Sequence, residues 1–247
     1  MDRKKIFSIS SEEEFKEVSL EVFNFQYSNN LVYRRFCDLL KIIPKQVNEI
    51  SKIPFLPIHF FKSHEILSSK NTIEKTFTSS GTTGKETSKH FVTDLSLYED
   101  SFTKAFHHFY GDMKNYVVLA LLPSYLEREG SSLIYMANYL IEKSGHPQSG
   151  FYLNNLTELK NTLVALDKAG KKVLLIGVSF ALLDLVESHQ FKLKNTVVME
   201  TGGMKGRRKE MIREELHQIL GKGFGVDQIH SEYGMTELLS QAYSKGG

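Results

Sequence analysis

The chain has 247 residues, 41% of them hydrophobic and 24% charged, with a formal net charge of +2. This length can bury a substantial core, and the composition is typical of a soluble globular protein. The near-neutral charge gives no electrostatic case for nucleic acid, and no apolar run approaches the roughly 18–20 residues that span a bilayer. The single cysteine, Cys37, excludes an internal disulfide framework and a cysteine-based zinc site, and it predicts a cytoplasmic protein.

The first 70 residues are predicted to be a mainly helical prelude. Ser11 and Glu14 have the spacing of a capping box and predict a helix start. A second helix is predicted over residues 31–43 and ends before Pro44. Its predicted buried stripe is Val32, Phe36, Leu39, Leu40 and Ile43. Residues 53–61, IPFLPIHFF, contain two prolines and alternate in polarity, which favours an extended segment.

From residue 72 onward, amphipathic stretches alternate with short apolar runs. The predicted helices are 94–109, 131–143, 155–168, 179–189 and 206–220. The predicted strands are 116–122, 172–178, 195–200 and 227–231. This alternation predicts an α/β fold with a largely parallel sheet flanked by helices. Since no linker interrupts the chain, residues 1–247 are predicted to form one domain, with residues 1–70 packed on the sheet as its prelude.

A polar loop, FTSSGTTGKETSKHFV, occupies residues 77–92. Its glycines permit positive φ angles, and successive backbone N–H groups in such turns form an anion-binding nest. Hydroxyl groups and Lys85 would add donors and a charge for a polyphosphate. The spacing of Gly81 and Gly84 does not fit a Walker A loop. A solvated Ser/Gly hairpin explains the same composition, so the loop alone leaves both interpretations open.

Two further glycine-containing loops directly follow predicted strands. They are ETGGMKGR at residues 200–207 and SEYGMTE at residues 231–237. Open α/β sheets bind ligands at the carboxyl ends of their strands, where both loops are predicted to lie. In the second loop, Tyr233, Thr236 and Glu237 could stack on a base, bind a phosphate oxygen and ligate Mg²⁺. Tight strand-to-helix turns are the alternative for each loop taken alone.

Five stretches carry a resemblance to a known family. They are LPIHFFKSHEI at 56–66, FTSSGTTG at 77–84, LPSYLEREGSSLIYM at 122–136, METGGMKGRRKE at 199–210 and IHSEYGMTELLSQAYS at 229–244. Together they resemble the adenylate-forming superfamily of acyl- and aryl-CoA ligases. Within it, the chain is most similar to the acyl-protein synthetases of bacterial bioluminescence, the ligase subunit of a fatty-acid reductase.

The resemblance implies an ATP- and Mg²⁺-dependent ligase that activates a carboxylic acid as acyl-AMP, releases pyrophosphate and passes the acyl group to a thiol. It assigns the β- and γ-phosphates of ATP to Thr78, Ser79, Ser80, Gly81, Thr82, Thr83, Gly84 and Lys85. It surrounds the rest of the nucleotide with Gly202, Gly203, Met204, Glu232, Tyr233, Gly234, Met235 and Thr236. Tyr233 would stack on adenine, Thr236 would contact the α-phosphate, and Glu237 would bind Mg²⁺. Thr236, Glu237 and Lys85 are the catalytic candidates.

The resemblance leaves the substrate and the acyl acceptor open. A long-chain fatty acid is the expected substrate, with an aromatic acid, as in aryl-CoA ligases, as the alternative. The acceptor is a protein cysteine or coenzyme A. Relatives continue beyond YSKGG with a lid domain, which is expected to be absent here, and Cys37 is predicted to be structural rather than an acyl acceptor. A non-catalytic domain that binds nucleotide or a partner protein is the third interpretation.

Overall fold

The computed structural model describes residues 3–79, 87–123, 130–153, 155–204 and 207–246. The chain divides into two compact units, Met1–Ser101 and Phe102–Gly247. The predicted α/β fold with a largely parallel sheet is confirmed in the second unit. Among the described residues, no helix is long and apolar enough to cross a membrane.

The described part of the first unit contains helices, short helical turns and a two-stranded hairpin. The helices are α1 (Glu12–Asn29), α2 (Leu31–Leu39) and α3 (Phe60–Ser63), and the strands are β1 (Lys75–Thr78) and β2 (Lys89–Val92). The predicted cap of α1 forms, since the Ser11 hydroxyl accepts a hydrogen bond from the Glu14 N–H at 3.2 Å. The Glu14 carboxylate in turn accepts a hydrogen bond from the backbone N–H of Ser10 at 2.8 Å. The segment predicted as extended contains α3 at its end rather than a strand.

Helix α2 differs from its prediction in length and in its buried face. It ends at Leu39 because Lys41 adopts a left-handed φ of 57° and the Ile42 N–H bonds to the Cys37 carbonyl at 3.0 Å, which closes the helix end. Tyr33 and Cys37 form its buried face, packed with Phe23 of α1. The predicted stripe is wrong at Leu39, Leu40 and Ile43, which are all exposed, and Val32 and Phe36 are only half-buried.

The second unit is built on a six-stranded sheet. Its strands are β3 (Val117–Leu121), β4 (Gly150–Phe151), β5 (Val173–Gly177), β6 (Thr196–Glu200), β7 (His230–Gly234) and β8 (Gln241–Ser244). The order is β4-β3-β5-β6-β7-β8, and every pairing is parallel except that of β7 with β8. Strands β3 and β5 are buried along their whole length, which explains why they read as continuous apolar runs.

Helices connect the parallel strands. They are α4 (Leu95–Tyr110), which precedes β3, and then α5 (Ser132–Ser144), α6 (Leu156–Lys168), α7 (Ser179–Ser188) and α8 (Arg213–Phe224). The first four agree with their predictions to within one residue at each end. Helix α8 begins seven residues later than the predicted start at residue 206. The carboxyl ends of β5 and β6 lie side by side, since Gly177 pairs with Glu200. Strand β7 continues beyond this edge, since Glu200 pairs with Ser231, the second residue of β7.

Candidate functional site

A glycine turn, residues 201–204, follows β6 at the carboxyl edge of the sheet. Gly202 and Gly203 have φ angles of 58° and 91°, which residues with a Cβ rarely adopt. Met204 is buried and anchors the far end of the turn in the core. The turn therefore places two exposed glycines at the edge where open parallel sheets bind ligands.

The carboxylate of Glu200 supports this turn from the last position of β6. Its Oε2 accepts hydrogen bonds from the Gly202 N–H at 2.7 Å and from the hydroxyl of Ser179, the first residue of α7, at 3.2 Å. Its Oε1 lies 3.6 Å from Nε2 of His217 on α8. Only 6% of Glu200 is exposed, so these contacts replace the water that the buried carboxylate loses.

A second buried carboxyl group reaches the same turn from β7. Glu232 is 4% exposed, and its Oε2 accepts a hydrogen bond from the Thr201 hydroxyl at 2.5 Å. Its Oε1 has no hydrogen-bond partner among the described residues. Burial raises the pKa of Glu232 to about 7, the Thr201 hydrogen bond lowers it, and the nearby charge of Glu200 raises it. The buried position of Glu232 therefore favours the protonated form of its carboxyl group.

The predicted loop 231–237 is partly strand. Strand β7 continues to Gly234 because β8 pairs with it, Tyr233 opposite Ala242 and Gly234 opposite Gln241. The predicted strand 227–231 is thus displaced towards the C-terminus. Tyr233 is 63% exposed, so one face of its ring is open at this edge. A Cβ atom on Gly234 would come within 2.9 Å of Gln241 Nε2, and glycine permits this close approach.

The threonine–glutamate segment, residues 235–240, connects β7 to β8. Met235, Thr236 and Glu237 are half-buried. Glu237 makes no hydrogen bond or ion pair with the described part of the chain. Its carboxylate is therefore available for a ligand or a cation.

The serine–glycine loop, residues 78–85, belongs to the first unit and is described only at its start. Thr78 ends β1 and pairs with Lys89 of β2. Ser79 accepts a hydrogen bond on its hydroxyl from the Ser88 N–H at 2.9 Å, and its own N–H donates to the Ser88 carbonyl at 3.1 Å. The remaining predicted members, Ser80, Gly81, Thr82, Thr83, Gly84 and Lys85, lie outside the described residues. The antiparallel strands on either side fit both the hairpin and the phosphate-loop interpretation.

The basic run that follows the glycine turn is tied to α7. The Arg208 guanidinium donates to both carboxylate oxygens of Glu187 at 2.6 Å and also pairs with Asp184. Arg207 lies 4.8 Å from the centre of the Phe180 ring. These contacts keep the two arginines in the connection that precedes α8. Lys205 lies outside the described residues.

Sequence reasoning missed most of the polar groups that support the glycine turn. Ser179 and His217 lie outside every quoted motif, and Glu200 and Thr201 lie inside one but were assigned no role. One signal was present, since Glu200 directly follows the apolar run NTVVM. A carboxylate buried at the end of such a strand needs hydrogen-bond partners in place of water. The carboxylate of Glu232, predicted to contact the nucleotide, is directed at Thr201 instead of at open space.

These features define the class of protein: an α/β protein with a polar, glycine-containing site at the carboxyl edge of a largely parallel sheet. Residues 5–97 match the family described as "Acyl-protein synthetase, LuxE". This match confirms the resemblance noted in the sequence. It includes the serine–glycine loop, whereas the glycine turn and the threonine–glutamate segment lie outside the matched range.

Two individual proteins are also similar. A "Long-chain-fatty-acid--luciferin-component ligase" from Photorhabdus luminescens is 39% identical over 70 residues, which is 28% of this chain and 60% of that relative. This chain therefore aligns with less than two thirds of the relative. The crystal structure of a mutant Coronafacic Acid Ligase from Pectobacterium brasiliense is 20% identical, with a TM-score of 0.35, and the comparison covers 53% of this chain and 24% of that one.

Proposed function

We propose that this chain activates a carboxylic acid with ATP, forming acyl-AMP and releasing pyrophosphate. The observation that carries the proposal is the match of residues 5–97 to the acyl-protein synthetases, because that range includes the serine–glycine loop. A long-chain fatty acid is the favoured substrate, since the similar protein from Photorhabdus luminescens is named as a ligase of such acids. The acyl group would then pass to a thiol, of a protein or of coenzyme A.

The serine–glycine loop would bind the β- and γ-phosphates. Thr78 and Ser79 would begin this contact, and the amides around Gly81 and Gly84 would supply a nest of donors. Lys85 would add a positive charge to the same anion. The hairpin of β1 and β2 supports this role, since it brings the two ends of the loop together.

The described residues of the second unit fit a nucleotide. The ring of Tyr233 is 63% exposed and can stack on adenine. Gly202 and Gly203, with positive φ angles, let a ligand approach the backbone next to buried Met204. In this proposal these three residues line the adenine and the substrate carboxylate.

Thr236 and Glu237 would act at the reacting phosphate. The Thr236 hydroxyl would contact the α-phosphate, and Met235 and Gly234 would shape the backbone beside it. Glu237, which has no partner among the described residues, can supply an oxygen ligand for Mg²⁺. The bound cation would neutralise phosphate charge.

The reaction would depend on positioning rather than on a protein nucleophile. A substrate carboxylate is itself the nucleophile, so the chain has to align it with the α-phosphate and provide fixed donors for the charge of the transition state. The glycine turn, Thr236 and Lys85 are suited to these tasks. Residues 1–247 would work as one nucleotide-binding domain, and the single cysteine favours action in the cytoplasm.

Carboxylate-dependent exchange of pyrophosphate into ATP tests this proposal. The chain is incubated with Mg²⁺, ATP and labelled pyrophosphate, with tetradecanoate and benzoate in parallel. Exchange with tetradecanoate alone is the expected result. Exchange with benzoate alone would identify an aryl ligase, whereas ATP binding without exchange for any acid would favour a non-catalytic nucleotide-binding domain.

A further inference from the structure

Two buried carboxyl groups from neighbouring strands converge on one turn. Glu200 and Glu232 are 6% and 4% exposed, and both are bonded to residues of the glycine turn. Glu200 accepts from the Gly202 N–H at 2.7 Å, and Glu232 accepts from the Thr201 hydroxyl at 2.5 Å. Buried carboxyl groups are costly, so two of them at one turn call for a physical reason.

We propose that Glu200 and Glu232 are a positioning pair that holds the glycine turn in its ligand-binding conformation. Glu200 orients the amide of Gly202, and Glu232 fixes Thr201 immediately before it. Neither carboxyl group has to contact the ligand, because each acts through a residue of the turn. The effect on ligand binding rests on the proposed function, whereas the effect on the turn does not.

A proton on one of the two carboxyl groups reduces the repulsion between them. Two negative charges in a buried site repel each other, so one carboxyl group is held neutral. Glu232 is the carboxyl group suited to hold the proton, because burial raises its pKa to about 7. Oε1 of Glu232 is the oxygen left for the proton, since Oε2 accepts from Thr201.

The charged and titratable groups that face Glu232 are few in the part of the chain that the structure describes. Glu200 lies on the neighbouring strand β6. On β8, Tyr243 is the register partner of Glu232. His217 of α8 lies beside Glu200 and 3.4 Å from the Ser231 hydroxyl. Loss of the Glu232 proton therefore adds a negative charge beside Glu200, which is also a carboxyl group. The turn is expected to loosen as the pH rises through about 7.

Nuclear magnetic resonance of the whole chain tests the positioning role without any ligand. Carboxyl ¹³C-labelled glutamate reports the titration of Glu232, and ¹⁵N-glycine, with 17 glycines in the chain, reports exchange of the Gly202 amide hydrogen. We expect Glu232 to titrate near 7 and Gly202 to lose about tenfold in protection over the same range. Titration of Glu232 near 4.5, or protection of Gly202 that is independent of pH, would overturn the proposal.

The variant Glu232→Gln separates positioning from simple structural support. Glutamine keeps an oxygen to accept from Thr201 but has no proton to lose, so Gly202 should stay protected at high pH. Glu210→Gln, at an exposed position, is the matched control and should behave like the original chain. An unchanged pH dependence in Glu232→Gln would contradict the inference. Thr201→Val, which removes the hydroxyl donor with little change in shape, should lower Gly202 protection even at pH 6.

Calorimetric titration with Mg·ATP then connects the pair to ligand binding. Between pH 6 and pH 8.5, the Kd of the original chain should rise about tenfold, and that of Glu232→Gln less than twofold. Ionisation of ATP itself affects both proteins equally. If Mg·ATP does not bind at any pH while Gly202 protection still follows Glu232, the positioning pair stands and the proposed function fails. Equal pH dependence of Kd in both proteins would overturn the connection.

Discussion

The glycine turn and the threonine–glutamate segment follow neighbouring strands, yet the protein holds them differently. The glycine turn is bonded to two buried carboxyl groups and anchored by buried Met204. The threonine–glutamate segment is half-buried, and Glu237 has no partner in the described part of the chain. The difference fits the proposed function, in which the glycine turn shapes the site and the threonine–glutamate segment contacts the ligand. Substitutions in the two regions should accordingly affect different measurements.

The largest effect is expected for Glu237→Gln. If Glu237 binds the cation, this change should lower pyrophosphate exchange by about 100-fold or more, because one charged contact to the transition state is lost. The thermal midpoint should stay unchanged, since the side chain supports no other described residue. Glu210→Gln serves as the control for charge alone. Full activity of Glu237→Gln would remove Glu237 from the proposed site.

Glu200→Ala should show the opposite behaviour, with a clear loss of stability. The change leaves the Gly202 N–H and the Ser179 hydroxyl without their acceptor, which costs about 2–3 kcal/mol in the free energy of unfolding. Denaturant titration measures this quantity. A change below about 0.5 kcal/mol, as expected for an exposed position, would show that the carboxylate does not support the turn.

Tyr233→Ala is expected to weaken nucleotide binding without destabilising the fold. Stacking of a base on an aromatic ring contributes about 1–3 kcal/mol, so the Kd for ATP should rise on the order of tenfold. The ring is mostly exposed in β7, and little packing is lost on its removal. Tyr233→Phe should bind ATP normally. Weak binding by the Phe variant would assign the effect to the hydroxyl group instead.

The smallest effect is expected for the pH dependence of the free energy of unfolding. The pKa of Glu232 is raised in the folded chain from 4.5 to about 7, so its stabilising contribution is full below pH 4.5 and is lost as the pH rises through 7. The free energy of unfolding should therefore fall by about 1 kcal/mol between pH 6 and pH 8. Glu232→Gln should reduce this slope. A slope of the opposite sign in the original chain would contradict the raised pKa.

The sequence predicted the centre of the sheet better than its edge. Runs such as KVLLIGV are continuous and β-branched, and they form β5 with the predicted bounds nearly intact. Strand β8, QAYS, is short, polar and half-buried, so it carries no such pattern and was missed. Its pairing then extended β7 through Gly234 and turned part of a predicted loop into strand.

The sequence predicted where the candidate site lies, but not the hydrogen bonds that support it. Glycines and polar residues after apolar runs placed it at the carboxyl edge, because parallel strands end together there. The contact of Thr201 with Glu232 depends instead on sheet register, with Met199 opposite His230 across 31 residues of chain. The same holds for α2. Helix periodicity identified an apolar stripe, but it did not show which face of the helix packs against other residues.

Detection of the activated acid itself tests the central proposal most directly. The chain is incubated with Mg²⁺, ATP and tetradecanoate, and the products are examined by mass spectrometry for tetradecanoyl-AMP. We expect this mixed anhydride, together with pyrophosphate, in amounts that fall by about 100-fold or more in Glu237→Gln. A folded chain that binds ATP and tetradecanoate but forms no adenylate would contradict the account.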